Sequence, residues 1–291
     1  MASNLTTNAV YDLTRRVVRT NEAINTTDSL HDPKVRKGTY TFIGGRQEVV
    51  AVKVMRPISF FDNEEAEEAT QLLLQEVRIY YTCSHVNLAS FDGICYENMR
   101  EKRIPCLIMS FYKNGSIMEY MRNNLGAVRM DLLRQVFAGL TYLHSRNVVH
   151  GNLKPTNILI DDGDNALLVN FGLTPMPCVM ETLERTAETA LSWVRCRYFK
   201  LAPELLLTPP TRTLPSDVWP AGMVGLQILS GNIPYMEHNI KDGLTGALMA
   251  KEILPSRLEW CMVCILALLA DPNQTTDYEK IAGLLGLSLC T

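Results

Sequence analysis

Tyr142-Leu-His-Ser-Arg-Asn-Val-Val-His-Gly-Asn-Leu-Lys-Pro-Thr-Asn-Ile-Leu-Ile160 is the stretch whose reading decides the fold. The run before it, Leu132–His144, places its apolar residues at helical spacing. Only short strand candidates follow before the next strongly helical run, Ser216–Leu229. Three shorter pieces stand downstream: Val169-Asn-Phe-Gly-Leu173, Leu201-Ala-Pro-Glu204 and Asp217-Val-Trp219. A fourth, Val50-Ala-Val-Lys53, stands far upstream.

The first third of the chain has a different texture. Val49–Met55 alternates as a strand does, Gly44-Gly45 ahead of it signals a hairpin, and Ala89–Tyr96 and Ile104–Tyr112 are further strand candidates. After Asn114-Gly115 the pattern turns helical, which predicts an α+β chain of two lobes divided near residue 113. Ahead of the strands, Val10, Leu13, Val17, Val18 and Ala23 fall near helical spacing among Arg15, Arg16 and Arg19. An N-terminal amphipathic helix is therefore expected over Asn8–Asn25. From Asp62 to Glu68 five of seven residues are acidic, directly before Leu72-Leu73-Leu74, and read as the solvated start of another helix.

Composition sets the outer bounds. The 291 residues carry 28 Lys+Arg against 31 Asp+Glu, a net charge of −3, with 47% hydrophobic residues. That balance buries a core and excludes wholesale disorder. It offers none of the basic excess by which nucleic-acid binding announces itself. The longest apolar run, Cys261–Ala270, is ten residues, well short of the ~18 a membrane span needs. Met1–Asn8 is polar and lacks the pattern of a secretory leader, so a soluble, cytoplasmic setting is expected. The eight cysteines then read as reduced and mostly buried, with Cys261 and Cys264 as core packing rather than a zinc or redox pair.

The five motifs, in this order and spacing, resemble the signature set of the protein kinase superfamily. The likeness leans toward the tyrosine-kinase-like branch, especially kinase-like genes of mushroom-type fungi, whose catalytic loop often begins His-Gly. The resemblance implies a two-lobed kinase fold over 28–291, with an N-lobe at 28–112, a C-lobe at 113–291 and a helical extension at 1–27. It assigns Lys53 to the α- and β-phosphates of ATP and Glu76 to the ion pair with that lysine. Met109 falls at the gatekeeper position, and Ser110, Phe111 and Tyr112 at the hinge that faces adenine. Tyr80, Phe91, His150 and Phe171, anchored by Asp217, match the hydrophobic spine that aligns the lobes. Lys154 and Asn157 of the catalytic loop are retained.

Several positions depart from the family pattern. Asn152 stands where an aspartate accepts the substrate hydroxyl's proton, and an amide has no useful basicity at neutral pH. Losing a positioned base costs about 10²–10⁴-fold in rate. Asn170 replaces the metal-binding aspartate, leaving Asn157 and Asn170 as a weak, uncharged metal shell. The glycine-rich loop is missing: counted back from Val35, its glycine positions hold Asp28, Leu30 and Pro33. Gly151 replaces the arginine that pairs with a phosphorylated activation segment. Thr275 stands where an arginine would pair with Glu204. Thr174, Thr182, Thr186, Thr189 and Ser192 read as loop hydroxyls, with phosphorylation as the alternative.

The expectation is a pseudokinase acting as a protein-binding or scaffolding module, with protein partners that include an active kinase. No cofactor is required, and any binding of ATP and Mg²⁺ is weak. The alternatives are a weak Ser/Thr kinase that keeps ATP through Lys53, Glu76 and Asn157, and a nucleotide sensor without turnover.

Overall fold

The computed structural model describes residues 12–24, 35–54, 77–99, 102–172 and 213–232. Among the described residues of the N-lobe, five antiparallel strands form a sheet: β1 (Val17–Ala23), β2 (Val35–Thr41), β3 (Gln47–Val54), β4 (Phe91–Met99) and β5 (Lys102–Ser110), in the order β1-β2-β3-β5-β4. Helix α1, described over 77–82, precedes β4. The C-lobe carries α2 (Ile117–Asn123), α3 (Arg129–Ser145), a two-stranded sheet of β6 (Ile158–Ile160) and β7 (Ala166–Leu168), and α4 (Val218–Ser230). This is the two-lobed α+β kinase fold expected from the sequence.

Strand alternation decides which side chains reach the cleft. Val50, Val52 and Val54 are 2%, 0% and 0% exposed and pack against Cys95, Ile104, Cys106 and Ile108. The period of two turns Ala51 and Lys53 to the opposite face, toward the space between the lobes. Lys53 pairs in register with Val35 of β2 and Leu107 of β5, so it sits on a central strand hydrogen-bonded from both sides. The β2–β3 hairpin turns at Gly44 and Gly45, both with positive φ, as the sequence predicts.

The expected N-terminal helix is a correction. Residues 17–23 form β1, paired antiparallel to β2 through Val17↔Tyr40 and Val18↔Thr39. The N-lobe sheet thus begins ahead of residue 28, within what was expected to be an extension. The spacing of Leu13, Val17 and Val18 satisfies a helix on paper. Two adjacent valines and Thr20, however, are stiff at χ1 and suit a pleated strand with a partner. Leu13 lies 6% exposed in the N-lobe core, its N–H bonded to the Ile94 carbonyl at 2.6 Å.

The C-lobe core is built on α3. Leu132, Leu133, Val136, Phe137, Leu140 and Leu143 share one face and are all buried. Gly139 lets the same helix approach the α1–β4 connection, since a Cβ there would lie 2.7 Å from the Asn87 carbonyl. Helix α2 begins at a full capping box, in which Ser116 and Glu119 each satisfy the other's backbone N–H. The described cysteines Cys83, Cys95 and Cys106 are free thiols. A hydrogen bond with Cys95, joined by burial, raises the Cys106 thiol pKa and keeps it protonated. No helix among the described residues is long and apolar enough to cross a membrane.

Asp92 lies in β4, where the register with β5 shifts between Phe91 and Gly93. Burial raises its carboxyl pKa above the ordinary value, so the charged form is the one the fold penalises. The penalty is absent while the group is protonated in both states, and it grows as pH rises through the folded value. Asp92→Asn is therefore expected to leave the melting temperature unchanged below about pH 4 and to raise it at pH 7. Melting temperatures of both proteins across that range check this; a variant less stable at pH 7 would assign Asp92 a stabilising partner instead.

Candidate functional site

The cleft between the lobes has apolar walls. Ile24, Val35 and Ala51 line it from the sheet, Met109 from the end of β5, and Leu159 and Val169 from the C-lobe. Ser110, Phe111 and Tyr112 form its side at the connection between lobes, and Ser116, Glu119 and Thr156 also line it. The empty space along it, open solvent at the mouth included, is about 810 Å³. The Ile24 N–H bonds the Val35 carbonyl at 3.0 Å and closes the base of the β1–β2 connection. The connection itself, with Asp28, Leu30 and Pro33, lies outside the described residues.

The inner end of the cleft gathers four sequence-predicted residues into one hydrogen-bonded chain. Lys53 Nζ donates to Asn170 Oδ1 at 3.0 Å. Asn170 Nδ2 donates to Asn157 Oδ1 at 2.8 Å, and Asn157 Nδ2 donates to the Asn152 carbonyl at 2.6 Å. Lys53 is 8% exposed and Asn157 2%, so the chain is buried at these two residues. Asn170 holds a left-handed backbone, φ 60°, which asparagine tolerates better than most residues. It stands just beyond β7, while Asn157 ends the 3₁₀ turn Pro155–Asn157 that leads into β6. The Val169 N–H to Asn157 carbonyl bond, 3.0 Å, locks the two together.

This arrangement does not fit a divalent cation. Magnesium ions take oxygen ligands, carboxylates above all. Here one of the two candidate ligands turns an N–H₂ toward the other. Among the described residues no group of three or more His, Cys, Asp or Glu side chains is placed to hold a metal ion.

The loop that carries Asn152 is held from below. The buried Asp217 carboxylate, 1% exposed, accepts the His150 N–H at 2.7 Å and the Gly151 N–H at 2.8 Å. His144 Nε2 donates to it at 2.9 Å. Gly151 lies at φ 71°, a left-handed turn that costs glycine nothing and would strain an arginine. The Asn152 N–H bonds His150 Nδ1 at 3.3 Å, while Asn152 itself stays exposed. Lys154 stands two residues on, half-buried. Above the loop, the Phe171 ring stacks on Tyr80 at 4.4 Å and meets His150 edge-on at 6.4 Å; Tyr80 also packs on Phe91 at 5.2 Å. The expected column of four side chains on Asp217 is thereby assembled.

Glu76, Thr275, Glu204 and the activation-segment hydroxyls lie outside the described residues. Some residues tying the lobes together escaped the sequence reading. The buried Asn87 side chain donates to the Ala166 carbonyl at 3.0 Å, and its own carbonyl accepts the Leu168 N–H at 2.9 Å. Ser90 Oγ lies 2.6 Å from Ser110 Oγ, and the Ser90 N–H reaches the Tyr112 hydroxyl at 3.3 Å. Asn87 and Ser90, in the connection ahead of β4, carry no pattern that marks them; only the fold brings their partners near.

Comparison with known proteins agrees with this geometry. The family described as protein kinase domain matches residues 39–262. Serine/threonine-protein kinase STY46 of Arabidopsis thaliana is 30% identical over 203 residues, 68% of this chain and 31% of that protein. Sperm motility kinase 3A of Mus musculus is 27% identical over 228 residues, 77% of this chain and 41% of its own length. Tyrosine-protein kinase JAK1 of Danio rerio is 28% identical over 214 residues, 69% of this chain and 17% of that protein. The chain thus spans less than half the length of these relatives, which include both serine/threonine and tyrosine kinases. On its fold, its assembled spine and this match, the chain belongs to the protein kinase family.

Proposed function

We propose that this domain is a pseudokinase: a kinase fold, of the tyrosine-kinase-like branch, that does not transfer phosphate and serves as a protein-binding regulatory module in the cytoplasm. The observation that carries the reading is the unbroken hydrogen-bonded chain from Lys53 through Asn170 and Asn157 to the Asn152 carbonyl, in which, among the described residues, no carboxylate takes part. Phosphoryl transfer depends on positioning and on charge stabilisation by metal ions. Asn152 offers no base, Asn170 no charge, and the β1–β2 connection no glycine-rich cradle. The spine and its Asp217 anchor support the positive half of the reading, because they hold both lobes as one surface for partners. An active kinase regulated in trans is the partner class this favours.

Proximity labelling in native cells, followed by titration of each recovered kinase with the purified chain, tests that role. A saturable change in a recovered kinase's kcat/KM, unaffected by Lys53→Ala in the chain, is the expected result. Recovery of no protein that responds to the chain would overturn it. The competing reading, a weak serine/threonine kinase, draws on the retained Lys53, Lys154 and Asn157. It requires phosphate transfer that Lys53→Ala abolishes.

A further inference from the structure

We propose that the Asn170 amide takes the place of the divalent cation in this cleft, and that the cleft is built for an uncharged heteroaromatic ligand of the nucleobase or nucleoside class rather than a metal–polyphosphate. The inference rests on the non-catalytic reading above and names what the same cleft would bind. Its first support is the direction of the hydrogen-bond chain. A lysine ammonium only donates, so Asn170 must present Oδ1 to Lys53. Its N–H₂ then faces Asn157, which must accept through Oδ1. Asn157 is left to donate to the Asn152 backbone carbonyl, a group that only accepts. Both ends are chemically fixed, so neither amide can flip without setting donor against donor or acceptor against acceptor.

A cation between Asn157 and Asn170 would need both oxygens turned toward it. Turning Asn170 would aim its N–H₂ at the Lys53 ammonium, which is 8% exposed and on a central strand. With aspartate at 170 the same position would hold two facing acceptors, a gap that a cation fills. With asparagine the protein's own N–H fills it, at 2.8 Å.

The second support is the contrast between the two ends of the cleft. The outer walls, Val35, Ala51, Met109, Leu159 and Val169, are apolar and suit a flat ring. Among the described residues, the hydrogen-bonded chain at the inner end offers the Lys53 ammonium, already bonded, and neutral amides. A triphosphate deprived of its metal would bring its charge there with little to offset its lost hydration.

Calorimetric titration and thermal unfolding of the full chain with adenosine, with ATP in EDTA and with ATP in Mg²⁺ test this directly. Adenosine is expected to bind and raise the melting temperature, ATP to bind no more tightly, and Mg²⁺ to add nothing. Asn170→Asp is expected to create metal dependence, with ATP binding at least about tenfold tighter in Mg²⁺ than in EDTA, as a restored carboxylate–magnesium contact allows. Wild-type protein that binds ATP tenfold more tightly with Mg²⁺ than without would overturn the proposal. So would a cleft that ignores adenosine at millimolar concentration. The two readings fail separately: phosphate transfer sinks the non-catalytic reading, whereas magnesium-dependent nucleotide binding without transfer sinks only this one.

Discussion

Asp217→Ala is expected to destabilise the domain by about 3–5 kcal/mol, the range for stripping a buried, hydrogen-bonded charge of its role. The carboxylate is 1% exposed and satisfies the His150 and Gly151 N–H groups and the His144 ring together. Its removal leaves one buried and one partly buried backbone donor without this acceptor and frees the loop that presents Asn152. Asp217→Asn keeps one oxygen but sets an N–H₂ against a remaining donor, so it should fall between wild type and alanine. Denaturant unfolding measures the series through its midpoints at constant slope. A loss below about 1 kcal/mol for alanine, no more than one ordinary hydrogen bond, would mean that the loop is held some other way.

Phe171→Ala should cost a similar amount, about 3–5 kcal/mol, by opening a cavity in a close-packed core. Phe171 is 1% exposed, stacks on Tyr80 of α1 and meets His150 of the loop, so the void would lie where the two lobes join. Phe171→Leu, which keeps most of the volume, should cost less than about 1.5 kcal/mol. Comparable losses for both variants would point to a specific need for the ring rather than to packing. The residues at stake here are neighbours of Asn152 and Asn170.

Much of this was legible in the sequence because kinase motifs are local. The helix Leu132–His144, the strand around Lys53 and the Asp217 anchor each follow from a short pattern, and the structure extends them only by a residue or a few. What failed was β1. Its partner β2 lies across a connection the sequence does not mark, and Leu13, Val17 and Val18 fit a helical period as well as a strand. Pairing with a distant strand outweighed local periodicity. The amide chain was illegible for another reason. The sequence identifies Asn152, Asn157 and Asn170 as substitutions or survivors, one by one, but not which way each amide turns. That direction is set by Lys53 at one end and a backbone carbonyl at the other, contacts separated by 117 residues in the case of Lys53 and Asn170.

The central claim is that this kinase fold does not transfer phosphate. A single-turnover reaction, with the chain in excess over γ-labelled ATP and Mg²⁺ and a generic protein acceptor, tests it most directly. The account predicts label transfer no faster than that of the Lys53→Ala variant run beside it. Transfer above that background, lost in Lys53→Ala and quickened by Asn152→Asp, would contradict the account and establish the domain as a working kinase.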